Sequence, residues 1–230
     1  MNDKPAYPSK LLSEAVEAIG TLPGVGSRSA LRLALFLLAQ PKENVAHFTE
    51  SIRKMREEVR RCRLCNMLTD EEECLICRDR SRSASTLCVV ESIRDVMSIE
   101  ATGRYHGRYH VLGGIISPIA GIGPADLSIP LLLERIRSYF SEESALEGAP
   151  KEDLEIIFAL SGDVEGETTA FYLYRQIESC LDGLPNGPGA SRVKITTLAR
   201  GLGFGADLEY ADSLTLGRSI DCRQEFKPKA

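Results

Sequence analysis

Four cysteines carry the most specific chemistry in this sequence. They fall in two C-x-x-C pairs, Cys62-Arg63-Leu64-Cys65 and Cys74-Leu75-Ile76-Cys77, with eight residues between them. Each pair sets two thiolates on one tight turn, and two such turns can close on a single tetrahedral Zn²⁺. Four sulfurs leave no open coordination position, so the expected role is structural rather than catalytic. The alternatives are cysteines buried by packing alone or a disulfide framework. The first is opposed by the polar, acid-rich segment between the pairs. The second is opposed by the absence of a signal-peptide pattern, which points to a reducing, cytoplasmic setting.

A second constellation is Leu22-Pro23-Gly24-Val25-Gly26-Ser27, followed by Arg28 and Arg32. Pro and two glycines make a tight turn that a phosphate can approach closely. The N-terminus of the following helix supplies N–H donors and partial positive charge. Arg28 and Arg32 stand one helical turn apart on one face, as phosphate contacts would. Gly24, Gly26, Arg28 and Arg32 are therefore the DNA-binding candidates; the competing reading is a helix hairpin that only packs.

The third group is acidic. Glu91 ends the apolar run Thr86-Leu87-Cys88-Val89-Val90, and Asp163, Glu165 and Glu167 follow the run Leu154 to Leu160. If both runs are strands of one parallel sheet, these acids converge on its C-terminal edge, where open α/β sheets place their sites. Clustered carboxylates are candidate Mg²⁺ ligands or a negative docking surface. The region has no accompanying base or nucleophile, so nothing in it demands catalysis. His106 and His110 read as loop or strand-edge residues. The glycine-rich stretch at 201–205 lacks the Lys-Ser/Thr of a phosphate-binding loop.

The elements that must position these groups follow from hydrophobic spacing. Leu12, Ala15, Val16 and Ile19 predict a helix ending at Gly20, with a second from Ala30 to Leu38 capped by Ser27. Val45, Phe48, Ile52, Met55 and Val59 predict an amphipathic helix running into the cysteines. Its polar face carries Arg53, Lys54, Arg56 and Arg60, which suit either solvent or DNA. After the cysteines, strands at 86–91, 109–114, 154–160 and 192–196 alternate with helices at 93–102, 129–140 and from about 164 to 180. Leu208 to Ile220 predicts a closing strand or helix. A short repeat, Gly-Arg-Tyr-His, occupies 103–106 and again 107–110.

Composition sets outer limits. The 230 residues carry a net charge of −5, which excludes a uniformly basic nucleic-acid binder. Residues 1–110 hold 17 Lys+Arg against 15 Asp+Glu, while 111–230 hold 11 against 18. The first half is thus the better suited to an anion. No apolar run approaches the ~18 residues of a membrane span.

Taken in order, the motifs resemble the RecR family of bacterial recombination mediators, nearly end to end. The resemblance rests on Leu22-Pro23-Gly24-Val25-Gly26, the four cysteines, Cys88-Val89-Val90-Glu91-Ser92, Gly121-Ile122-Gly123-Pro124, Val164-Glu165-Gly166-Glu167 and Leu208-Glu209-Tyr210-Ala211-Asp212. It implies an α/β fold with a helical helix-hairpin-helix region at 1–60, a C4 zinc knuckle at 61–84 and a Toprim domain at 85–197. That domain is a mostly parallel sheet with flanking helices, and an oligomerisation segment follows at 198–230. It implies one zinc per chain, a homotetrameric ring on double-stranded or gapped DNA, and action with RecO and RecF to load RecA. The setting is the cytoplasm, at the nucleoid. Arg28 and Arg32 match the family's DNA-contacting positions, and Glu165 and Glu167 match the loop offered to RecO.

The sequence also departs from related patterns. Toprim enzymes carry a Glu on the first strand and Asp-x-Asp after the third. Here Ser161 stands for the first aspartate, and Val164 stands where the enzymes have an arginine. Family relatives usually show Asn-Pro at Ser161-Gly162. The expected function is therefore a non-enzymatic DNA-binding mediator. Its rivals are an Mg²⁺-dependent Toprim enzyme that cuts or joins nucleic acid, with Glu91 and Asp163 as ligands, and a protein adaptor that never touches DNA.

Overall fold

A computed structural model describes residues 7–140, 153–182, 192–199, 201–202 and 207–221. The glycines at 203 and 205, together with Cys222, lie outside the described residues. The chain divides into two compact units, Met1–Val59 and Arg60–Ala230. Among the described residues, no helix is long and apolar enough to cross a membrane.

In the first unit, helix α1 (Lys10–Gly20) is capped by Ser9, whose hydroxyl accepts the Leu12 N–H at 3.4 Å. Its Val16 packs on Ala30 and Ala34 of α2 (Ser27–Leu38). Small residues on α2 let the two helices approach closely. Between them Gly24 adopts φ +78°, a left-handed conformation that suits glycine. The second helix starts three residues earlier than the apolar spacing predicts, and its cap is Gly26 rather than Ser27. The extended Gly26 backbone ends the turn, and its carbonyl accepts the Ala30 N–H at 2.9 Å. Helix α3 (Lys42–Glu58) is amphipathic as its spacing predicts, yet it buries none of its residues. Phe48, Ile52 and Met55 on its apolar stripe are 46–60% exposed.

The second unit holds a two-stranded antiparallel ribbon, β1 (Arg60–Arg61) and β2 (Leu68–Thr69), and the short helix α4 (Leu75–Arg78). It continues into a four-stranded parallel sheet of β3 (Thr86–Val90), β4 (Arg108–Val111), β5 (Leu154–Ala159) and β6 (Val193–Thr197). Their order is β4-β3-β5-β6. Helices α5 (Ile93–Glu100), α6 (Ile129–Phe140), α7 (Val164–Asp182) and α8 (Ser213–Asp221) complete the unit.

Strand alternation sorts the core into two layers. Leu87, Val89, Leu154, Ile156 and Phe158 pack against α6 and α7 through Leu132, Ile136, Leu173 and Ile177. Cys88, Val90, Tyr109 and Val111 face the other way, onto Val96 of α5 and onto Met67 and Ile76 of the cysteine region. Near-continuous apolar strands are what a sheet covered on both faces requires.

Strand β4 lies at the edge of this sheet, and its outward backbone groups need partners. The Val111 N–H donates to the Cys65 carbonyl at 2.9 Å, and the Asn66 amide donates to the Val111 carbonyl at 2.8 Å. Arg135 of α6 donates to the Tyr109 carbonyl at 2.7 Å and to the Leu64 carbonyl at 3.3 Å. Asn66 itself sits at φ +62°, which Asn tolerates better than most side chains. Asn66→Gly keeps that backbone but deletes the hydrogen bond, at an expected cost of about 1–3 kcal/mol. Asn66→Ala deletes the bond and adds backbone strain, so urea unfolding should rank it below Asn66→Gly. Equal stabilities would show that the turn conformation contributes nothing.

Candidate functional site

The two C-x-x-C turns meet as their spacing predicts. Cys62, Cys65, Cys74 and Cys77 are all buried, and their sulfurs lie within 4.8 Å of one another. A tetrahedral zinc with bonds of about 2.3 Å requires sulfurs about 3.8 Å apart. The Cys65 and Cys74 sulfurs are 3.5 Å apart. The Cys74 N–H also points at the Cys62 sulfur, at 3.3 Å, as a donor toward a thiolate would. Contact with Cys65 holds the Cys74 thiol well below the ordinary thiol range, and contact with Cys74 raises Cys65 above it. Two sulfurs thus compete for one proton, and a dication that takes all four as thiolates resolves the conflict. The donor set and its geometry fit structural Zn²⁺. Bound there, it would supply a cross-link, tying β1, the β2 turn and α4 into one body. Among the described residues, this is the group of three or more potential ligands drawn close enough to hold a metal.

In the hairpin, Gly24 and Gly26 flank the turn, and a Cβ on either would meet nothing within 4 Å. Arg28 and Arg32 are exposed on α2, with no acidic partner among the described residues. The basic face of α3 behaves differently. Arg53 pairs with Glu50 and Glu57 of the same helix, and Lys54 lies 3.9 Å from Glu50. Acids thus offset that part of the face, while Arg56 and Arg60, like the two hairpin arginines, form no ion pair among the described residues.

The four acids gather on the C-terminal edge of the sheet, because β3 and β5 are adjacent and parallel. Glu91 follows β3 directly and accepts the Ser161 N–H. Asp163 is the N-cap of α7: its Oδ1 accepts the Gly166 N–H at 2.7 Å and the Ser161 hydroxyl at 2.9 Å. A Cβ on Gly166 would come within 2.3 Å of the Ser161 carbonyl, so this loop needs glycine there. Glu165 accepts from the Ser117 hydroxyl at 2.6 Å, and Glu167 is exposed in the first turn of α7. Glu91, Asp163, Glu165 and Glu167 form no three-ligand cluster of the kind the cysteines form.

The two histidine candidates separate. His106 is exposed in the loop before β4, whereas His110 is buried within β4. Burial, with the nearby Arg135 charge adding, pushes its imidazole down to about 4. Its Nε2 lies 3.0 Å from both the carbonyl and the hydroxyl of Ser128. The Ser128 hydroxyl proton already goes to the Val111 carbonyl, so Nε2 carries the imidazole proton. Three supporting residues escaped the sequence reading: Asn66, Arg135 and Ser117. Only Asn66 had a local signal, its place directly after a C-x-x-C turn.

Metal removal tests the cysteine site. Purified protein is expected to carry one zinc per chain by atomic absorption. Cys74→Ser should lose it and expose the remaining knuckle thiols to a thiol reagent, since structural zinc contributes an apparent ~10–16 kcal/mol in small zinc domains. Full zinc content in Cys74→Ser would remove that sulfur from the site.

Known protein families agree with this geometry. The family model for the RecR helix-hairpin-helix matches residues 12–56, and that for the RecR four-cysteine zinc finger domain matches 59–79. The Toprim domain model matches 85–184, and the RecR C-terminal model matches 201–224. A protein from Porphyromonas gingivalis named recombination protein RecR is 47% identical over 220 residues, covering 96% of this chain and 95% of the relative. Proteins of the same name from Flavobacterium johnsoniae and Bacteroides thetaiotaomicron are each 46% identical, covering 96% of both chains. With its hairpin, its four cysteines and its parallel sheet aligned along that whole length, the chain belongs to the RecR family.

Proposed function

We propose that this protein is a non-enzymatic DNA-binding mediator of recombinational repair. It would act with RecO and RecF to load RecA at single-strand gaps, at the nucleoid in the cytoplasm. The observation that carries this reading is the unopposed pair Arg28 and Arg32 beside the Gly24 turn, in a chain related over nearly its whole length to proteins named recombination protein RecR. The hairpin offers backbone N–H groups and two guanidinium groups to phosphates, which fixes register without reading bases. One hairpin binds weakly, so several copies in a ring gain by effective concentration. The exposed apolar stripe of α3 supports self-association, because such a face in water favours a partner. A tetramer is the proposed form.

The acidic edge is proposed as the surface that meets RecO. Glu91 and Asp163 accept hydrogen bonds from the Ser161–Gly166 loop, and this supports a structural role for them over Mg²⁺-dependent cleavage. Ser161 and Val164, in place of the aspartate and arginine of Toprim enzymes, point the same way. Glu165 and Glu167 then supply the charge that a basic partner would read.

Two measurements test these assignments. Anisotropy with a gapped duplex should show affinity falling steeply with salt. In Arg28→Glu with Arg32→Glu the slope should shrink by about 0.9 for each phosphate no longer neutralised, for all sequences alike. Unchanged binding would take the hairpin out of the interface. On the other edge, Glu165→Gln with Glu167→Gln keeps the Ser117 acceptor while removing two charges. RecO capture should weaken, and retained capture at all salt concentrations would exclude these acids.

A further inference from the structure

A cleft of about 850 Å³ opens at the N-terminal edge of the parallel sheet, where β3, β4 and β5 begin with Leu87, Arg108 and Leu154 in its lining. This is the edge opposite the acids. Four arginines line it, Arg80, Arg82, Arg108 and Arg135, and among the described residues no Asp or Glu does. Serine hydroxyls stand between them, and Tyr139 adds an aromatic ring.

The arginines are not equally committed. Arg82 pairs with Glu100, lies 3.7 Å from Asp79 and donates to the Gly107 carbonyl at 3.2 Å. Arg135 donates to the Tyr109 and Leu64 carbonyls. Arg80 and Arg108, like Arg135, form no ion pair with a carboxylate among the described residues. The Nε of Arg108 is buried without any hydrogen-bond partner. A buried guanidinium N–H with no acceptor is costly, and gathering several cations in one concavity adds repulsion. An anion would relieve both.

The backbone holds Arg108 at this edge. The Tyr105 hydroxyl donates to the Arg108 carbonyl at 2.9 Å, and the Tyr105 and Tyr109 rings meet edge to face at 4.9 Å. The Gly-Arg-Tyr-His repeat thus has a structural outcome: its first copy supplies the tyrosine that holds the arginine of its second. The Arg80–Ser85 wall is held by the Ser83 N–H on the His106 carbonyl at 2.9 Å. These contacts fix the backbone of two walls of the cleft.

We propose that this cleft binds the phosphate groups of a nucleotide, either free or as a unit of a single strand, at a site separate from the hairpin. Planar guanidinium groups suit the many acceptor oxygens of phosphate. The volume falls in the range of small-ligand pockets.

Calorimetry on the zinc-loaded full chain tests this, in an Arg28→Glu with Arg32→Glu background that silences the hairpin. The probes are pyrophosphate, ATP and an oligothymidylate. Saturable pyrophosphate binding is expected, weakened about tenfold or more by Arg108→Gln and by Arg80→Glu. ATP binding would identify the free nucleotide as the source, and oligothymidylate binding without ATP the strand. If Arg108→Gln fails to fold, the exposed Arg80→Glu decides the matter. No pyrophosphate binding, or binding that neither variant weakens, overturns the proposal. So does binding of an Asp/Glu-rich peptide in place of every phosphate probe.

Discussion

The rest of the larger unit depends on the seal between the cysteine knuckle and strand β4. A parallel edge strand presents outward N–H and C=O groups that cannot be left dry and unpaired. Here the Cys65 carbonyl and the Asn66 amide take those of Val111, and Arg135 takes the carbonyl of Tyr109. The knuckle has too few apolar side chains to hold its own shape, so the sulfur cluster must supply that rigidity. Order in the knuckle, pairing of the sheet edge and placement of Arg135 are therefore one problem. Loosening the cysteines releases the Leu64 carbonyl from Arg135 and, with it, one wall of the basic cleft.

Parallel topology then sorts charge by strand end. Acids that follow β3 and β5 collect on the C-terminal edge, and arginines that precede β3 or open β4 collect on the other. Neither group comes from one half of the chain: Glu91 joins Asp163, Glu165 and Glu167, while Arg135 joins Arg80, Arg82 and Arg108. The uneven charge of residues 1–110 and 111–230 is thus a poor guide to the surface. For all but Arg135, which reaches the cleft from α6, the relevant variable is which end of a strand a residue lies nearest. Two opposed fields on one small sheet allow two different partners without competition between them.

What the sequence made legible was local or periodic. The cysteine cluster could be read because each ligand pair sits on one turn, and the strands because a doubly covered sheet demands apolar runs. Gly24 was readable as a turn residue, whereas the exchange of Gly26 for Ser27 at the cap was not, since both residue types cap helices. Asn66, Arg135 and Ser117 were hidden for a different reason. Their partners lie 45, 26 and 48 residues away, and no spacing rule reaches that far. The α3 helix marks a further boundary. Periodicity says that Phe48, Ile52 and Met55 share a face, but it is silent on what covers that face, and among the described residues nothing buries it.

The acidic edge illustrates how one loop can use the same residue type in two ways. Asp163 caps α7 and Glu91 anchors the Ser161 N–H, so both carboxylates are fixed by backbone donors. A carboxylate at a helix N-terminus is also favoured by the helix dipole. These two acids shape the loop, and the close approach of Gly166 to Ser161 leaves it little freedom to change. Glu165 and Glu167 ride on that fixed frame, one braced by Ser117 and the other exposed. Charge held in a set position loses less entropy when a partner arrives. On the proposed reading, the edge that holds metal in Toprim enzymes serves here as a rigid acidic display, and Ser161 is the residue at which the two uses diverge.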